Sequence, residues 1–209
     1  MGDENDGVDD EFAATICSGS TYERVRLRRR TYVSQSTITK LGWQSLLLGG
    51  LALLLPIYLS FPATATPFIG SPDPAVASPK VLVLGLAGAT VVSITAVTLV
   101  GATLYRVRNY PLDPAQARTV VDVEEVASAL AFGTGGLTIG LTLGYFLLGL
   151  SGGPAIERYV SAMDGGNPFA ASGLGLSVAE FAVGALLAAV CLLAIRRYLA
   201  GRVAELVDE

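Results

Sequence analysis

Glu180 is the only carboxylate inside the long apolar runs of this 209-residue chain. An ionisable group embedded in an apolar helix is a common carrier of proton or cation coupling, so Glu180 is a candidate ion-coupling residue. Ser177, three residues earlier, offers a second chemistry. Ser-x-x-Glu places a hydroxyl at a helix N-cap and a carboxylate at the third helical position, where each accepts the other's backbone N–H. The negative charge then also sits at the positive end of the helix dipole. The helix cap is the preferred reading and ion coupling the alternative.

Two further constellations lie in one run. Thr134, Thr138 and Thr142 recur every fourth residue, which would line one helix face with hydroxyls and could border a polar path. The same hydroxyls can instead bond carbonyls of their own helix, which requires no path. Gly136, Gly140 and Gly144 repeat at the same spacing, offset by two residues, or about 200° around a helix of 3.6 residues per turn. The glycine row is a helix-packing face that lets a second backbone approach closely, from another span or from a second copy. With flat and hydroxyl faces on opposite sides, this helix is expected at the centre of a bundle.

Other chemistries lack their residues. The chain has no histidine, the commonest acid–base group and transition-metal ligand. Its two cysteines, Cys17 and Cys191, are too far apart in the expected topology to pair, and no metal-ligand spacing occurs. Gly133-x-Gly135-Gly136 lies within an apolar run and lacks the lysine and hydroxyl of a phosphate loop. No catalytic, cofactor-binding or metal site is assigned, no cofactor is called for, and the expectation is that the protein is not an enzyme.

These residues need a scaffold, and hydropathy supplies it. Apolar runs at 41–59, 81–104, 126–150 and 178–195 are each long enough to cross a hydrocarbon core of about 30 Å as a helix. The expected fold is all-α: a polytopic membrane protein with a four-helix transmembrane bundle over residues 36–209, preceded by a 1–35 tail. Twelve basic residues lie before the first run, between the second and third, or after the fourth; only Lys80 and Arg158 lie in the other two loops. The positive-inside rule then places both termini in the cytoplasm and predicts a multi-pass protein of the cell membrane.

Local signals refine that frame. Pro56 removes the donor for the Ala52 carbonyl and predicts a kink in the first span. The proline-rich loop at 60–79 reads as extended, with Ser78 and Pro79 opening the second helix. Asp113-Pro-Ala-Gln116 forms a capping box for a helix expected to lie along the membrane surface, holding Asp122, Glu124 and Glu125 among the headgroups. Ile156, Tyr159, Val160 and Met163 predict a short amphipathic helix on the outer membrane surface. A short cytoplasmic helix should follow Arg196 and Arg197. Weak matches between the two halves, such as Gly49-Gly50-Leu51 and Gly135-Gly136-Leu137, are too short to establish a duplication.

Composition bears on habitat and partners. Apolar residues make up 52% of the chain and charged ones 15%, below the roughly 25% of soluble domains. Net charge is −4, and twelve of the fourteen basic residues are arginine. Such an acidic, lysine-poor composition resembles that of proteins from salt-loving archaea. Residues 1–21 read as a disordered tail, and the basic run 22–30 as an orientation signal rather than a nucleic-acid arm. The expected partners are the lipid bilayer and either a second copy or a larger membrane complex, with no nucleic acid. The expected role is a non-enzymatic structural or accessory component; the alternative is a small transporter or channel subunit using the threonine face.

Overall fold

The four apolar runs fold as four long helices, joined by shorter ones. The computed structural model describes Tyr22 and residues 35–205; the acidic tail with Cys17, the remainder of the basic run and residues 206–209 lie outside the described residues. The first span is α1 (Thr37–Ala52) continued by α2 (Leu54–Leu59), and a 3-10 helix follows at Ala63–Phe68. The second span is α3 (Val81–Arg108). The third joins α4 (Pro114–Ala129), a π-helical turn (Leu130–Gly135) and α5 (Gly136–Leu150) into one rod of 37 residues. After α6 (Gly153–Ala162), α7 (Val178–Glu205) forms the fourth span. The chain is an all-α, four-span membrane protein, with no strand among the described residues.

Local chemistry sets the helix boundaries. Ser36 caps α1 by accepting the Thr39 N–H, and Asp113 and Gln116 form the expected reciprocal box at the start of α4. The first span is interrupted at Leu53, three residues before Pro56, where the missing proline N–H leaves the preceding turn without its donor. Helix α3 begins only at Val81, with no side-chain cap. Ser78, the expected cap, instead hydrogen-bonds the Ser172 hydroxyl at 2.8 Å, while Pro79 bridges Ala171 in the facing loop. The loop at 60–79 is not wholly extended either, because its Ala63–Phe68 stretch coils around the buried Ala65.

Packing places the first and second spans together at the centre. Each contacts the other three, whereas the third and fourth occupy opposite corners and barely touch. The third span, expected at the centre, instead lies at a corner against the first and second. The physical reason lies in the closest helix crossing, Gly88 against Gly135. A Cβ on Gly88 would sit 2.5 Å from Thr138 Oγ1 and 3.2 Å from the Gly135 carbonyl oxygen; one on Gly135 would sit 2.6 Å from Val92 Cγ2. Leu82, Val92, Leu99, Ile139, Phe146 and Phe181 fill the space between the spans.

The loops at one end are laced together. Backbone bonds join Lys80 N–H to the Ala170 carbonyl, Ser172 N–H to Ser78 and Val178 N–H to Ala77, at 2.7 to 2.9 Å. Asn167 Nδ2 donates to the Phe68 carbonyl, and the rings of Tyr58, Phe61, Phe146 and Phe169 form an aromatic cluster beneath. Helix α6 exists as expected, but its apolar face is covered by protein. Ile156 packs with Ala65 and Phe169, and the Tyr159 hydroxyl bonds that of Tyr145 at 2.9 Å; Met163 is left exposed. The fourth span continues unbroken through Arg196 and Arg197, so no separate helix follows it.

Candidate functional site

Glu180 acts as a cap. Its Oε2 accepts both the Ser177 N–H and the Ser177 hydroxyl at 2.9 Å, and its own N–H donates to Ser177 Oγ at 3.2 Å. The side chain is exposed at the loop end of α7. These bonds account for its position without an ion.

The threonine row splits. Thr142 is buried, Thr138 is half-buried against Gly88, and Thr134 is exposed. Thr138 donates to the Thr134 and Gly135 carbonyls and Thr142 to the Thr138 carbonyl, so the two inward hydroxyls are satisfied by their own helix. The π-helical turn explains the split. Its wider repeat rotates everything before it relative to α5, and a row drawn at four-residue spacing no longer follows one face. Where Thr142 enters the bundle it meets the second span directly, its Cγ2 lying 3.1 Å from where a Gly85 Cβ would be, which leaves no path between them.

The glycine row faces the other way, as its offset requires. Gly140 and Gly144 are exposed, and a Cβ at either would meet nothing within 4 Å. Gly136 is half-buried, with the nearest Leu47 methyl 3.8 Å from such a Cβ. Within the chain close approaches are made at other glycines instead, Gly85, Gly88, Gly135 and Gly149 among them.

The most unusual chemistry lies at the opposite end of the bundle, in residues the sequence pattern left among the headgroups. Glu124 is only 4% exposed, and its Oε2 accepts the Tyr22 hydroxyl at 2.6 Å. The Arg106 guanidinium lies over the Tyr22 ring, 3.9 Å from its centroid, within cation–π range. The Thr37 hydroxyl, at the start of the first span, lies near the same phenol oxygen. One tyrosine thus touches the first, second and third spans together. Burial, and then the adjacent Glu124 carboxylate, push the Tyr22 phenol up to about 12.

Polar side chains continue inward from this point. Ser128, one turn after Glu124, donates its hydroxyl to the Glu124 carbonyl, and Lys40 is buried one turn after Thr37. Gln44, a further turn on, is fully buried and donates at 3.4 Å to Thr95 of the second span. Among the described residues, three buried side-chain atoms have no hydrogen-bond partner: Glu124 Oε1, Gln44 Oε1 and Arg106 Nε. Buried polar groups are almost always hydrogen-bonded, so three orphans in one end of a bundle mark a region not optimised for stability alone. Among the described residues, no three His, Cys, Asp or Glu side chains gather where a metal ion could sit.

A sequence signal for this cluster did exist. Ala117, Val120, Val121, Glu124, Ala127 and Ser128 fall at helical spacing on the buried face of α4, so the inward stripe of the third span begins well before Val126. The aromatic residue that opens the basic run carries no such periodic signal. No protein-family model matches this chain, and neither does any curated protein or solved structure.

Proposed function

We propose that this chain is a non-enzymatic integral component of the cell membrane that assembles, through its third span, with a second copy or with a larger membrane complex. Both termini face the cytoplasm in this reading, as the distribution of arginines favours. The observation that carries it is the outward Gly140 and Gly144 surface, where backbone is open to a neighbour while the bundle itself is held by other glycines. Small residues at a lipid-facing surface allow a second helix to approach closely, which is how spans associate in a solvent as apolar as they are.

Gly140→Leu tests this. The variant should fold and melt within a few degrees of the parent, because its side chain meets nothing in the chain, yet cross-linked oligomers or co-purifying partners should fall at least fivefold. Unchanged assembly would remove the basis of the reading.

A second reading, a small transporter subunit, is favoured by Glu124 rather than by Glu180 or the threonine row. A buried carboxylate with one orphaned oxygen, two turns from a π-helical segment, is a recurring arrangement at functional sites in membrane helices. Glu124→Gln keeps the acceptor for Tyr22 and removes the charge. Proton- or cation-dependent flux in proteoliposomes should fall more than tenfold in that variant; flux absent from both parent and variant would leave the assembly reading alone.

A further inference from the structure

A groove of about 550 Å³ runs along the lipid-facing seam between the first and fourth spans. Its floor is Gly49 and Ala189, and Leu46, Leu186, Val190 and Leu193 form its apolar walls. At one end it meets Trp43, 48% exposed, and the half-buried Arg196. Gly42 makes room for that arginine, since a Cβ there would lie 3.1 Å from the guanidinium carbon. Arg196 is held by its Nε, which donates to the Ile38 carbonyl at 3.0 Å. No further hydrogen bond engages its terminal nitrogens among the described residues, and these are the pair that can grip a planar or tetrahedral anion.

We infer that this groove is a binding site for one anionic phospholipid, with the phosphate on the Arg196 terminal nitrogens and an acyl chain along the Gly49–Ala189 floor. Length favours that occupant. From Arg196 to Leu186 is ten helical residues, about 15 Å at 1.5 Å per residue, which is half of a hydrocarbon core of roughly 30 Å and so the depth of one leaflet. Polarity favours it as well. The apolar channel ends in one cation and one indole, and basic pockets between spans at the headgroup level are the usual receptors for anionic lipid heads. Trp43 belongs at that same interface, where its ring can lie against the glycerol region. The groove is of ligand size and holds its one charged group at one end, while the Ser45 hydroxyl partway along it is already bonded to the Gly42 carbonyl, so that the charge fixes the orientation of whatever enters.

The full chain is to be reconstituted in nanodiscs of equal phosphatidylglycerol and phosphatidylcholine, then released and weighed intact by native mass spectrometry. The parent should retain one phosphatidylglycerol at least fivefold over phosphatidylcholine. Arg196→Gln should bring the two lipids to parity. Gly49→Leu should lose bound lipid of both kinds, because its side chain would extend into the groove from a position where a Cβ meets only Ala189 at 3.8 Å. Arg197→Gln, which removes an exposed neighbouring charge outside the groove, should behave as the parent. Equal retention of both lipids by the parent would overturn the site. So would equal loss of selectivity in the Arg196 and Arg197 variants, since that would mean diffuse charge rather than a fitted phosphate.

Discussion

Gly88→Leu should abolish the folded bundle or lower its melting temperature by about 6–12 °C, corresponding to roughly 3 kcal/mol for a chain of this size. The Cβ alone would stand 2.5 Å from Thr138 Oγ1, 2.9 Å from Ile139 Cγ1 and 3.2 Å from the Gly135 carbonyl oxygen. A threonine rotamer can change, but the carbonyl belongs to the backbone of the third span and yields only if the two spans separate. Separation would open the contact that Val92 and Ile139 fill on either side. Gly88→Ala should lie between the parent and the leucine variant, while Gly140→Leu, on the open face, should melt as the parent does. Circular dichroism melts in one detergent would rank all three. A Gly88→Leu protein as stable as the parent would mean that the second and third spans do not cross at this point.

Tyr22→Ala is expected to be at least as damaging, at about 3–5 kcal/mol, the usual range for truncating a buried aromatic ring. Three contacts go together: the ring's own burial, the Arg106 guanidinium above it and the hydrogen bond to Glu124. Tyr22→Phe separates them. It keeps the ring and the cation–π contact and loses only the charge-assisted bond, which is worth roughly 1.5–3 kcal/mol. The two variants also differ from the parent in their dependence on pH. An unfolded tyrosine titrates near 10, whereas the folded phenol holds its proton to about 12. Between those values the unfolded state has lost a proton that the folded state keeps, so the parent loses stability as pH rises through that window. Below 10 both states are neutral and the group contributes no slope. Tyr22→Phe has no phenol to titrate at this position and should decline less steeply than the parent. Parallel declines in parent and variant would show that Tyr22 is not seated against Glu124.

Much of the scaffold was legible because a hydrocarbon solvent restricts what a chain can do. Four runs of sufficient length must be helices, and a proline such as Pro56 must interrupt one of them. The Asp113 and Ser177 boxes were equally plain, since capping depends on residues three apart and on nothing distant. Harder to read were features that depend on the neighbours. Glycines at regular spacing mark a packing face toward another span or a second copy, but the close crossing within the chain is made by Gly88 and Gly135, which belong to no shared row. Periodicity identifies a face but not what lies against it. Counting by fours through Thr134 presumed a uniform α-helix, and the π-helical turn broke that assumption without any local marker. Glu124 was hidden by convention: a charged residue just outside an apolar run is assigned to the headgroups, although its position on the stripe with Val120 and Ala127 points inward. Tyr22 lies more than a hundred residues from its carboxylate partner, a separation no sequence pattern spans.

The stitched loops limit how the molecule can move. By chain connectivity spans one and two make one hairpin and spans three and four a second, splayed one whose arms barely touch, and a rocking exchanger would tilt one hairpin against the other about a pivot. At the loop end the hairpins share backbone bonds from Ser78 to Ser172, Lys80 to Ala170 and Ala77 to Val178. At the far end, the bond from Arg196 to Ile38 joins the fourth span to the first, and the Tyr22 contacts join the first two spans to the third. Fastened at both extremities, the hairpins have no free edge about which to swing. Any large excursion must first release one fastening, and the far end is the weaker because it is held by side chains alone.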